Sequence, residues 1–515
     1  MPSPLKKSFA AEQLKKRKKK PPMLLVVAVI VAIIAVGYVL YMRYGTKEIP
    51  TETVAPLEEI KSVAVLAFED MTSEKNMEHV GDGIAEAIIG ALTNIEGIRV
   101  PGRNSTFVFK GQYKEIREIG EKLDVDAVLE GSIQQSGERL RITAQLIRVK
   151  DDNHLFSKTY DHFIMEDIFT IQDSISYAIV ETLRGELLNG EKAAIEKRLT
   201  ENTEAYDLYL MGQHFTIIFE WRKALDFYFQ AIEKDSSFAA PYAEIALLYS
   251  AMAGQGSIAP GKAYTEAKKA VERAFELDDT LPNTHLAQAM LSLYFEWDWD
   301  TAEDNFKKAI EIDPSYMTTY TEIDNLLTLL GKEQEMLELQ IKALEIDPLS
   351  LGVMQDMLPI LGLLGDSEQA EQIYHKMVEI DSTWWGINHV GFNYAFQGKY
   401  EEAIEAFTKR AELSGYSEEP NPYIGYVYGL MGKRVEAEKI LADYQAEFPE
   451  AVRYINLIRL GLKDFDPIFE TLENRYNERN PHIVYNLLRH KRHSKDIVAD
   501  PRWNELMKKM GLPES

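Results

Sequence analysis

Apolar and small residues in the C-terminal half of the chain recur about every 34 residues, the pattern of repeated helix–turn–helix units. One ladder consists of small residues and one methionine, namely Ala224, Ala267, Ala302, Met336, Ala370, Ala403 and Ala437. A second ladder lies twelve residues further along and consists of turn-forming or polar residues, namely Ser236, Asp279, Pro314, Pro348, Ser382, Gly415 and Pro449. A helix pair with one apolar face buries that face only against neighbouring pairs, so the pattern predicts a continuous helical superhelix.

Each period also carries the signs of two helices that cross closely. Small residues occupy the expected crossing position of the first helix, namely Gly212, Ala246, Ala289, Gly391 and Gly425. Turn signals such as Asp313-Pro314 end the second helices. These features resemble the tetratricopeptide family, and the resemblance implies seven repeats over 200–450 with a long concave surface that binds partners. Asp324 and Leu358 replace the small residue in two repeats, where we expect less regular packing.

The pattern changes between 60 and 188, where short apolar runs alternate with segments of helical periodicity. The runs at 127–133 and 140–149 flank a turn at Gln135–Gly137, which predicts a hairpin. The other predicted elements are strands at 61–68, 98–100 and 154–160 and helices at 78–94, 114–123 and 168–187. This order predicts a mixed sheet with helices on at least one face.

Five segments of this region resemble the TolB amino-terminal-like domain of bacteria, namely Val63–Phe68, Gly81–Ile84, Arg103–Phe107, Leu129–Ile133 and Arg141–Ile147. In many bacterial proteins that domain precedes tetratricopeptide repeats, and the corner Trp297–Trp299 also recurs in that architecture. The resemblance implies a TolB-like domain over 59–190 and a helical cap over 451–515. No segment resembles the propeller of TolB itself, so the role of TolB in an envelope complex is not implied.

The stretch Met23–Met42 contains no charged residue and, at twenty residues, is long enough to cross a bilayer as a helix. A cleaved signal peptide is the alternative, but its apolar core is only about 7–15 residues long and ends in small residues. Tyr41–Tyr44 offers no such cleavage site. The sequence therefore predicts an uncleaved transmembrane helix over 23–42, between a basic tail at 1–22 and a linker at 43–58.

Positive charge is concentrated before this stretch. Lys6, Lys7 and the basic run at 15–20 precede it, whereas only Arg43 and Lys47 follow closely. Positively charged flanks stay in the cytoplasm, so we expect a single-pass protein of the inner (cytoplasmic) membrane with its body facing the periplasm or the outside. The alternative is an arm that binds nucleic acid or anionic lipid, but so short a tail cannot fold into a DNA-binding domain.

The composition is globular and acidic, because 82 Asp and Glu against 57 Lys and Arg give a formal net charge of −25. An acidic body repels nucleic acid and anionic lipid and favours a basic or neutral partner, although acidity alone also serves solubility. The chain has no cysteine, which excludes disulfides, thiolate metal sites and a cysteine nucleophile.

No constellation of catalytic residues is recognisable in the sequence. Gly81, Asp82 and Gly83 before a helix suggest a phosphate loop, but the P-loop and dinucleotide spacings are missing and Asp82 would repel phosphate, which favours a packing role. His490 and His493 lie three residues apart, but zinc needs further ligands. We therefore predict that the chain is not an enzyme and holds no cofactor and no metal.

In tetratricopeptide arrays the first helices line the concave face, which yields a set of predicted partner-binding residues. They are Tyr206, Tyr209, Gln213, Thr318, Thr321, Asn325, Gln355, Trp385, Asn388, Phe392 and Tyr426. The set contains aromatic and amide side chains but no lysine or arginine, which favours an extended peptide held through its backbone and by aromatic contacts. The alternative is that the aromatic members belong to the core between repeats.

These observations predict an α+β chain with one transmembrane helix, a small mixed α/β TolB-like domain and an all-α superhelix. The predicted function is a non-enzymatic, membrane-anchored scaffold or adaptor of the bacterial cell envelope that binds a protein or extended peptide and no nucleic acid. The alternative is a sensory or regulatory subunit that signals to a separate cyclase, kinase or transcriptional regulator. The oligomeric state is left open.

Overall fold

The N-terminal domain, by which we mean residues 60–195, contains a mixed sheet built around a long hairpin. The computed structural model describes residues 60–513, apart from 113, 138, 186–189, 381–383 and 415–420. The strands are β1 (Val63–Val65), β2 (Glu69–Asp70), β3 (Ala127–Ser136), β4 (Arg139–Arg148) and β5 (His154–Phe163). Their order is β1-β3-β4-β5, and β2 also pairs with β3. β1 and β2 run parallel to β3, whereas β3, β4 and β5 are antiparallel neighbours.

The hairpin lies where the sequence predicts it, with Ala127 opposite Arg148. The predicted strand at 61–68 is shorter than expected and forms only β1; β2 begins after Phe68, which is buried in the core and 1% exposed. The predicted strand at 98–100 contributes only a single bridge, from Arg99 to Ser62.

Helices cover both faces of the sheet. They are α1 (Glu78–Thr93), α2 (Arg103–Thr106), α3 (Ile116–Leu123), α4 (Ile168–Arg184) and α5 (Glu191–Ile195). Ile84 of α1, Ile175 of α4 and Leu129 of β3 belong to one apolar core. Leu123 of α3 and Val128 of β3 belong to a second core, because successive strand residues point to opposite faces.

Seven helix pairs follow in the part of the chain that the structure describes. The first helices of the pairs are α6 (Thr203–Ile217), α8 (Ala239–Gly254), α10 (Pro282–Leu291), α12 (Met317–Leu330), α14 (Leu351–Leu364), α16 (Trp384–Phe396) and α18 (Pro422–Leu430). The second helices are α7 (Trp221–Lys234), α9 (Pro260–Leu277), α11 (Trp299–Ile312), α13 (Glu333–Ile346), α15 (Ser367–Ile380), α17 (Tyr400–Ser414) and α19 (Arg434–Glu447). A π-helical segment, Ser292–Glu296, continues α10. The array is a tetratricopeptide-type solenoid.

Glycine stands where a ring of the second helix lies directly against the first helix. A Cβ on Gly212 would lie 2.4 Å from the Tyr228 ring, and a Cβ on Gly391 would lie 2.6 Å from the Phe407 ring. Both rings are fully buried. The small-residue ladder of the sequence therefore reflects close helix crossing within each pair.

Five helices follow the array, namely α20 (Val452–Leu462), α21 (Asp466–Asn477), α22 (His482–His493), α23 (Lys495–Val498) and α24 (Pro501–Lys509). We call the surface formed by the first helices of the pairs the inner face. Helix α22 lies on the inner face, where it contacts α8, the π-helical segment, α12 and α14. The end of the chain is tied back to the third pair, because Trp299 Nε1 donates a hydrogen bond to the Met510 carbonyl oxygen at 2.8 Å.

The N-terminal domain also packs on the array. Gly83 of α1 lies against Leu210 of α6, since a Cβ on Gly83 would be 2.5 Å from that leucine side chain. Leu349, which precedes α14, belongs to the same apolar core as Val128 of β3. The N-terminal domain is thus in contact with the first helix pair and with the turn between the fourth and fifth pairs.

The expected membrane-anchored fold class and single-pass localisation are corrected on structural grounds. Among the residues that the structure describes, no helix is both long and apolar enough to span a lipid bilayer. Even α9, with 18 residues, carries charged side chains such as Lys262 and Glu266 among its apolar positions, as amphipathic helices do. The predicted span at 23–42 lies outside the described residues, as do 1–22 and 43–58. The described fold is mostly helical with one small mixed sheet.

Candidate binding cleft

A cavity of about 550 Å³ lies between the N-terminal domain and the inner face, and we call it the inner cleft. The N-terminal domain contributes Glu86, Ile89 and Gly90 of α1 and Arg103 and Asn104 of α2. The array contributes side chains from four first helices, from α7 and from three turns, including Gln213, Thr216, Glu244, Leu248, Met290, Asp313, Thr318, Glu322 and Asp347. An adjoining cavity of about 540 Å³ shares several of these residues, namely Glu86, Gly90, Gln213 and Asp313.

Carboxylates dominate the charged lining of the inner cleft. Glu86 forms an ion pair with Arg103, yet burial raises the pKa of Glu86 against the effect of that guanidinium. Glu244 is 9% exposed, and its Oε1 accepts a hydrogen bond from Asn283 Nδ2 at 3.0 Å. Burial raises the pKa of Glu244 to about 7. An approaching cation would therefore favour its ionised form.

Glu322 connects the inner cleft to the C-terminal helices. Its Oε2 accepts hydrogen bonds from the Tyr294 hydroxyl at 2.8 Å and from Asn325 Nδ2 at 3.2 Å. Burial raises the pKa of Glu322, and these two bonds oppose the rise. The Tyr294 ring is stacked on Tyr485 of α22, with ring centroids 4.6 Å apart. A group that binds Glu322 therefore touches a network that reaches α22.

The turn after the second helix of a pair carries an aspartate, and its bonding changes in the fourth pair. In the first three pairs it accepts a hydrogen bond from the backbone N–H two positions on, at 2.8 to 2.9 Å, as at Asp235, Asp278 and Asp313. Asp347 Oδ1 instead accepts from the Ser105 backbone N–H at 2.8 Å. The Leu349 backbone N–H donates to Ser105 Oγ at 2.7 Å. The fourth turn is therefore bonded to α2 of the N-terminal domain.

Asp347 is fully buried in this contact. A Cβ on Gly102 would lie 2.7 Å from Asp347 Oδ2, so glycine is needed there for the close approach of the carboxylate. Burial raises the pKa of Asp347 to about 6, while the hydrogen bonds from Ser105 lower it. Oδ2 has no hydrogen-bond partner among the described residues.

Apolar side chains surround the mouth of the inner cleft. Ile217 and Phe219 line it and are 44% and 70% exposed. The ring of Phe219 lies 6.1 Å from that of Trp221, which also lines the cleft. Phe219 has a φ of 62°, which is rare for a bulky side chain. Exposed apolar groups beside a cavity are typical of binding surfaces.

The cationic end of α22 is bound to the inner face through ion pairs. Arg492 donates to Asp324 Oδ2 at 2.8 Å, and Asp324 is fully buried. Lys491 Nζ donates to the Thr328 carbonyl oxygen at 2.6 Å and lies 3.2 Å from Glu333. Asp324 at the crossing position therefore accepts a hydrogen bond from Arg492, which lies 168 positions further along the chain. The sequence alone does not reveal this pairing.

Two histidines of α22 are buried without full hydrogen bonding. Neither ring nitrogen of His490 has a partner among the described residues, and the side chain is 1% exposed. Burial, with Arg489 and Arg475 nearby, lowers the pKa of His490 to about 3. Burial likewise lowers the pKa of His493. Both imidazoles are therefore neutral in the folded protein near neutral pH.

Four of the predicted partner-binding residues lie at the cavities. Gln213 and Thr318 line the inner cleft, and Thr318 is exposed. Tyr206 and Tyr209 line the adjoining cavity but are only 6% and 5% exposed. Tyr209 packs on Phe238 with ring centroids 5.1 Å apart, and its hydroxyl accepts a hydrogen bond from Gln213 Nε2 at 2.9 Å. The two tyrosines are thus cavity walls and core residues at once.

Three other predicted residues contact α22. Asn325 Oδ1 accepts a hydrogen bond from Arg492 at 3.3 Å. Phe392 is stacked on His493 with ring centroids 3.9 Å apart, and the Tyr426 hydroxyl donates to the His493 carbonyl oxygen at 2.7 Å. The chain's own helix therefore occupies the inner face at these positions.

The remaining predicted residues lie on the first helices as expected. Thr321 of α12 is half-buried and donates a hydrogen bond to the Thr318 carbonyl oxygen at 3.0 Å. Gln355 is half-buried on α14. Trp385 and Asn388 lie on α16, and their side chains are outside the described part. The partner-binding role of all four stays a prediction.

Three side chains bring potential metal ligands together among the described residues. The ligand atoms of Glu78, Asp82 and His214 lie within 4.8 Å of one another. Lys110 Nζ is 2.6 Å from Glu78 and 2.7 Å from Asp82, so an ammonium group already compensates these carboxylates.

Gly81 has a packing role, since a Cβ there would lie 2.5 Å from a backbone carbonyl oxygen.

Comparison with known proteins gives partial matches. A family model described as the second domain of HilA/YgeH-like transcriptional regulators matches residues 59–177. This match does not show the expected resemblance to the TolB amino-terminal-like domain. A protein of Rhizobium meliloti (strain 1021) named "Putative adenylate cyclase 3" is 32% identical over 233 residues, which are 44% of this chain and 40% of that protein. The chain therefore spans well under two thirds of that relative.

Solved structures of repeat proteins are similar to parts of the chain. A tetratricopeptide repeat protein from Parabacteroides merdae ATCC 43184 is 16% identical with a TM-score of 0.36, covering 50% of this chain and 99% of its own. PilW, a type IV pilus biogenesis factor, is 17% identical with a TM-score of 0.34, covering 42% and 98%. YrrB, a tetratricopeptide protein with a peptide-binding site, is 18% identical with a TM-score of 0.26, covering 36% and 92%.

Proposed function

We propose that this chain is a protein-binding scaffold that holds a segment of a partner in the inner cleft. The position of the cleft supports this proposal most strongly, because α1 and α2 form one wall, and four first helices together with α7 form the other. A bound segment would contact both walls, which the Ser105–Asp347 hydrogen bond holds together. The role proposed is binding without chemistry.

The cleft is a better candidate than the whole inner face. Helix α22 contacts the first helices of the second to seventh pairs, so a partner would have to displace it at those contacts. Gln213 and Thr318, by contrast, line an open cavity. The cavity volume of about 550 Å³ also falls within the range of roughly 300–1,000 Å³ that is usual for ligand sites.

Site-specific photo-cross-linking in cells that make the full chain tests this proposal. A photoreactive amino acid at Thr318 should form a cross-link to a discrete partner. The same amino acid at Lys308, exposed on the second helix α11, is the matched control and should form none. Equal yields at both positions, or no adduct at Thr318, would contradict the cleft as the binding site.

A second candidate function is a regulatory part that passes a binding event to a cyclase, kinase or transcriptional regulator. The HilA/YgeH-like match over 59–177 and the identity to a protein named as an adenylate cyclase favour it. In this case the chain would have two conformations that differ in the distance between α2 and the array. A ligand in the cleft would bind one conformation more tightly than the other, and the resulting change in their populations would be the signal.

The output of a cyclase or regulator encoded beside this gene tests the second candidate. Asp347→Asn removes the charge of the acceptor and so weakens the contact between α2 and the array. Asparagine has nearly the same size as aspartate, so the shape of the cleft is kept. A changed output in this variant supports a regulatory role. An unchanged output, together with intact cross-linking at Thr318, would contradict the regulatory role and support the scaffold function.

A further inference from the structure

We propose that the inner cleft recognises a peptide segment in which a lysine or arginine stands next to a large apolar residue. This inference rests on the proposed function and specifies its partner. It combines two features of the cleft, a surplus of carboxylates inside and an exposed apolar group at the mouth.

The lining of the inner cleft has more negative than positive side chains, which favours a cationic ligand. Five of its residues carry carboxylates, namely Glu86, Glu244, Asp313, Glu322 and Asp347, whereas Arg103 is its one basic residue. Arg103 is committed to Glu86. The bonds described above give Glu244 an amide as its partner, and they give Glu322 a hydroxyl and an amide. The positive charge of Arg492 also acts on Glu322 from α22. A cationic side chain that enters the cavity would reduce the remaining surplus of negative charge, above all at Glu244.

A buried acceptor gives independent evidence for a donor from outside. Asp347 lines the cleft and is fully buried, and its Oδ2 has no hydrogen-bond partner among the described residues. Buried carboxylate oxygens are normally satisfied by hydrogen bonds, and an unsatisfied one costs stability. A primary ammonium or guanidinium group brings three or five N–H donors and would satisfy such an acceptor.

The mouth of the cleft selects a peptide over a free amine. Ile217 and Phe219 present apolar surface that a small cation would leave in water. A neighbouring leucine or aromatic residue of a peptide would cover this surface, and the burial of apolar surface favours binding.

An array of short immobilised peptides probed with the purified full chain tests the inference. Peptides with adjacent lysine or arginine and leucine, phenylalanine or tryptophan should be enriched among those bound. The best one is then synthesised in three forms: as found, with norleucine for the cation, and with serine for the apolar residue. Both replacements should weaken binding by roughly tenfold or more, which is about 1.4 kcal/mol.

Matched variants of the chain locate the effect. Glu244→Gln keeps the side-chain shape and should lose most of the discrimination between the peptide and its norleucine form. Glu311→Gln removes the same charge from an exposed position on α11 and should change nothing. Phe219→Ser should lose discrimination at the apolar position only.

The outcomes separate the two proposals. If lysine amide binds as well as the peptide, or if Glu244→Gln and Glu311→Gln behave alike, the basic–apolar recognition is wrong. If bound peptides lack the basic–apolar pair while cross-linking at Thr318 persists, the inference fails and the scaffold stands. If neither peptides nor a cross-linked partner are found, the proposed function fails too.

Discussion

Ser105 and Asp347 are 242 positions apart in the chain and are bonded directly to each other. The Ser105 backbone N–H donates to Asp347 Oδ1, and Ser105 Oγ accepts from the Leu349 backbone N–H. Equivalent aspartates of earlier repeats bond within their own turn, as at Asp278. The fourth turn has therefore exchanged a local hydrogen bond for one that joins the N-terminal domain to the array and closes one side of the inner cleft.

Asp347→Ala should lower the free energy of unfolding by about 1.5–3 kcal/mol, because it removes a charged acceptor and leaves a buried N–H of Ser105 unsatisfied. Asp278→Ala changes an equivalent turn in which the aspartate accepts its hydrogen bond from within the turn. We expect this variant to lower the free energy of unfolding by about 1 kcal/mol or less. Urea denaturation of the full chain, followed by circular dichroism, measures both. Equal losses would show that the bond between the two domains adds no stability.

The buried ion pair between Asp324 and Arg492 should be strongly coupled. Asp324→Ala alone removes the ion-pair partner of Arg492 and should cost about 3–5 kcal/mol, even though alanine suits the crossing position in other repeats. The double variant with Arg492→Met should recover part of that loss, because both charges of the pair are then removed together. A double-mutant cycle from denaturation curves gives the coupling, and simple additivity would contradict it.

Stability should fall on acidification because of the buried histidines of α22. The pKa of His490 is lowered to about 3 in the folded chain, whereas an unfolded histidine titrates near pH 6.5. Between these values the unfolded state binds more protons, so stability is full above about pH 6.5 and is lost as pH falls toward about 3. His490→Leu should flatten this dependence, and the exposed His375→Gln should not. Melting temperatures of the wild type and both variants, measured across this pH range, test the prediction. Identical pH profiles for the wild type and His490→Leu would rule out the contribution of His490.

Binding of a basic peptide should depend on pH through Glu244. Burial raises the pKa of this carboxyl to about 7, so it is ionised above that value and protonated below it. A cation prefers the ionised form, and affinity should therefore rise between about pH 6 and about pH 8. Titration of a fluorescent lysine-containing peptide measures the trend, which Glu244→Gln should reduce, while Glu86, Glu322 and Asp347 remain in the cleft. A wild-type affinity that is constant over this range would exclude Glu244 from the site.

The regular parts of the fold are predictable because their signals are local. The small-residue ladder places the helix crossings, as at Gly212 and Gly391, and alternation along 140–149 places β4. Contacts between distant segments have no such signal. Asp324 is visible in the sequence as an exception, but its partner Arg492 is identified only by the folded chain. The cleft carboxylate Glu244 looks like any charged residue of a repeat helix until burial distinguishes it.

The occupancy of the concave face is the largest departure from the sequence-based picture. The predicted residues Asn325, Phe392 and Tyr426 do lie on first helices, but α22 contacts them. Such packing depends on how far the superhelix turns, which is a sum of small rotations between repeats that local patterns do not fix.

The absence of cysteine in the natural chain permits the most direct test of the inner cleft as the binding site. Thr318→Cys places one thiol in the cleft, and Lys308→Cys places one on exposed α11. The rate of maleimide labelling of each is measured with and without the cross-linked partner's segment, supplied as a peptide. We predict that saturating peptide slows labelling at position 318 by about tenfold or more and leaves position 308 unchanged. Undiminished labelling at position 318 with peptide bound would contradict a binding site in the cleft.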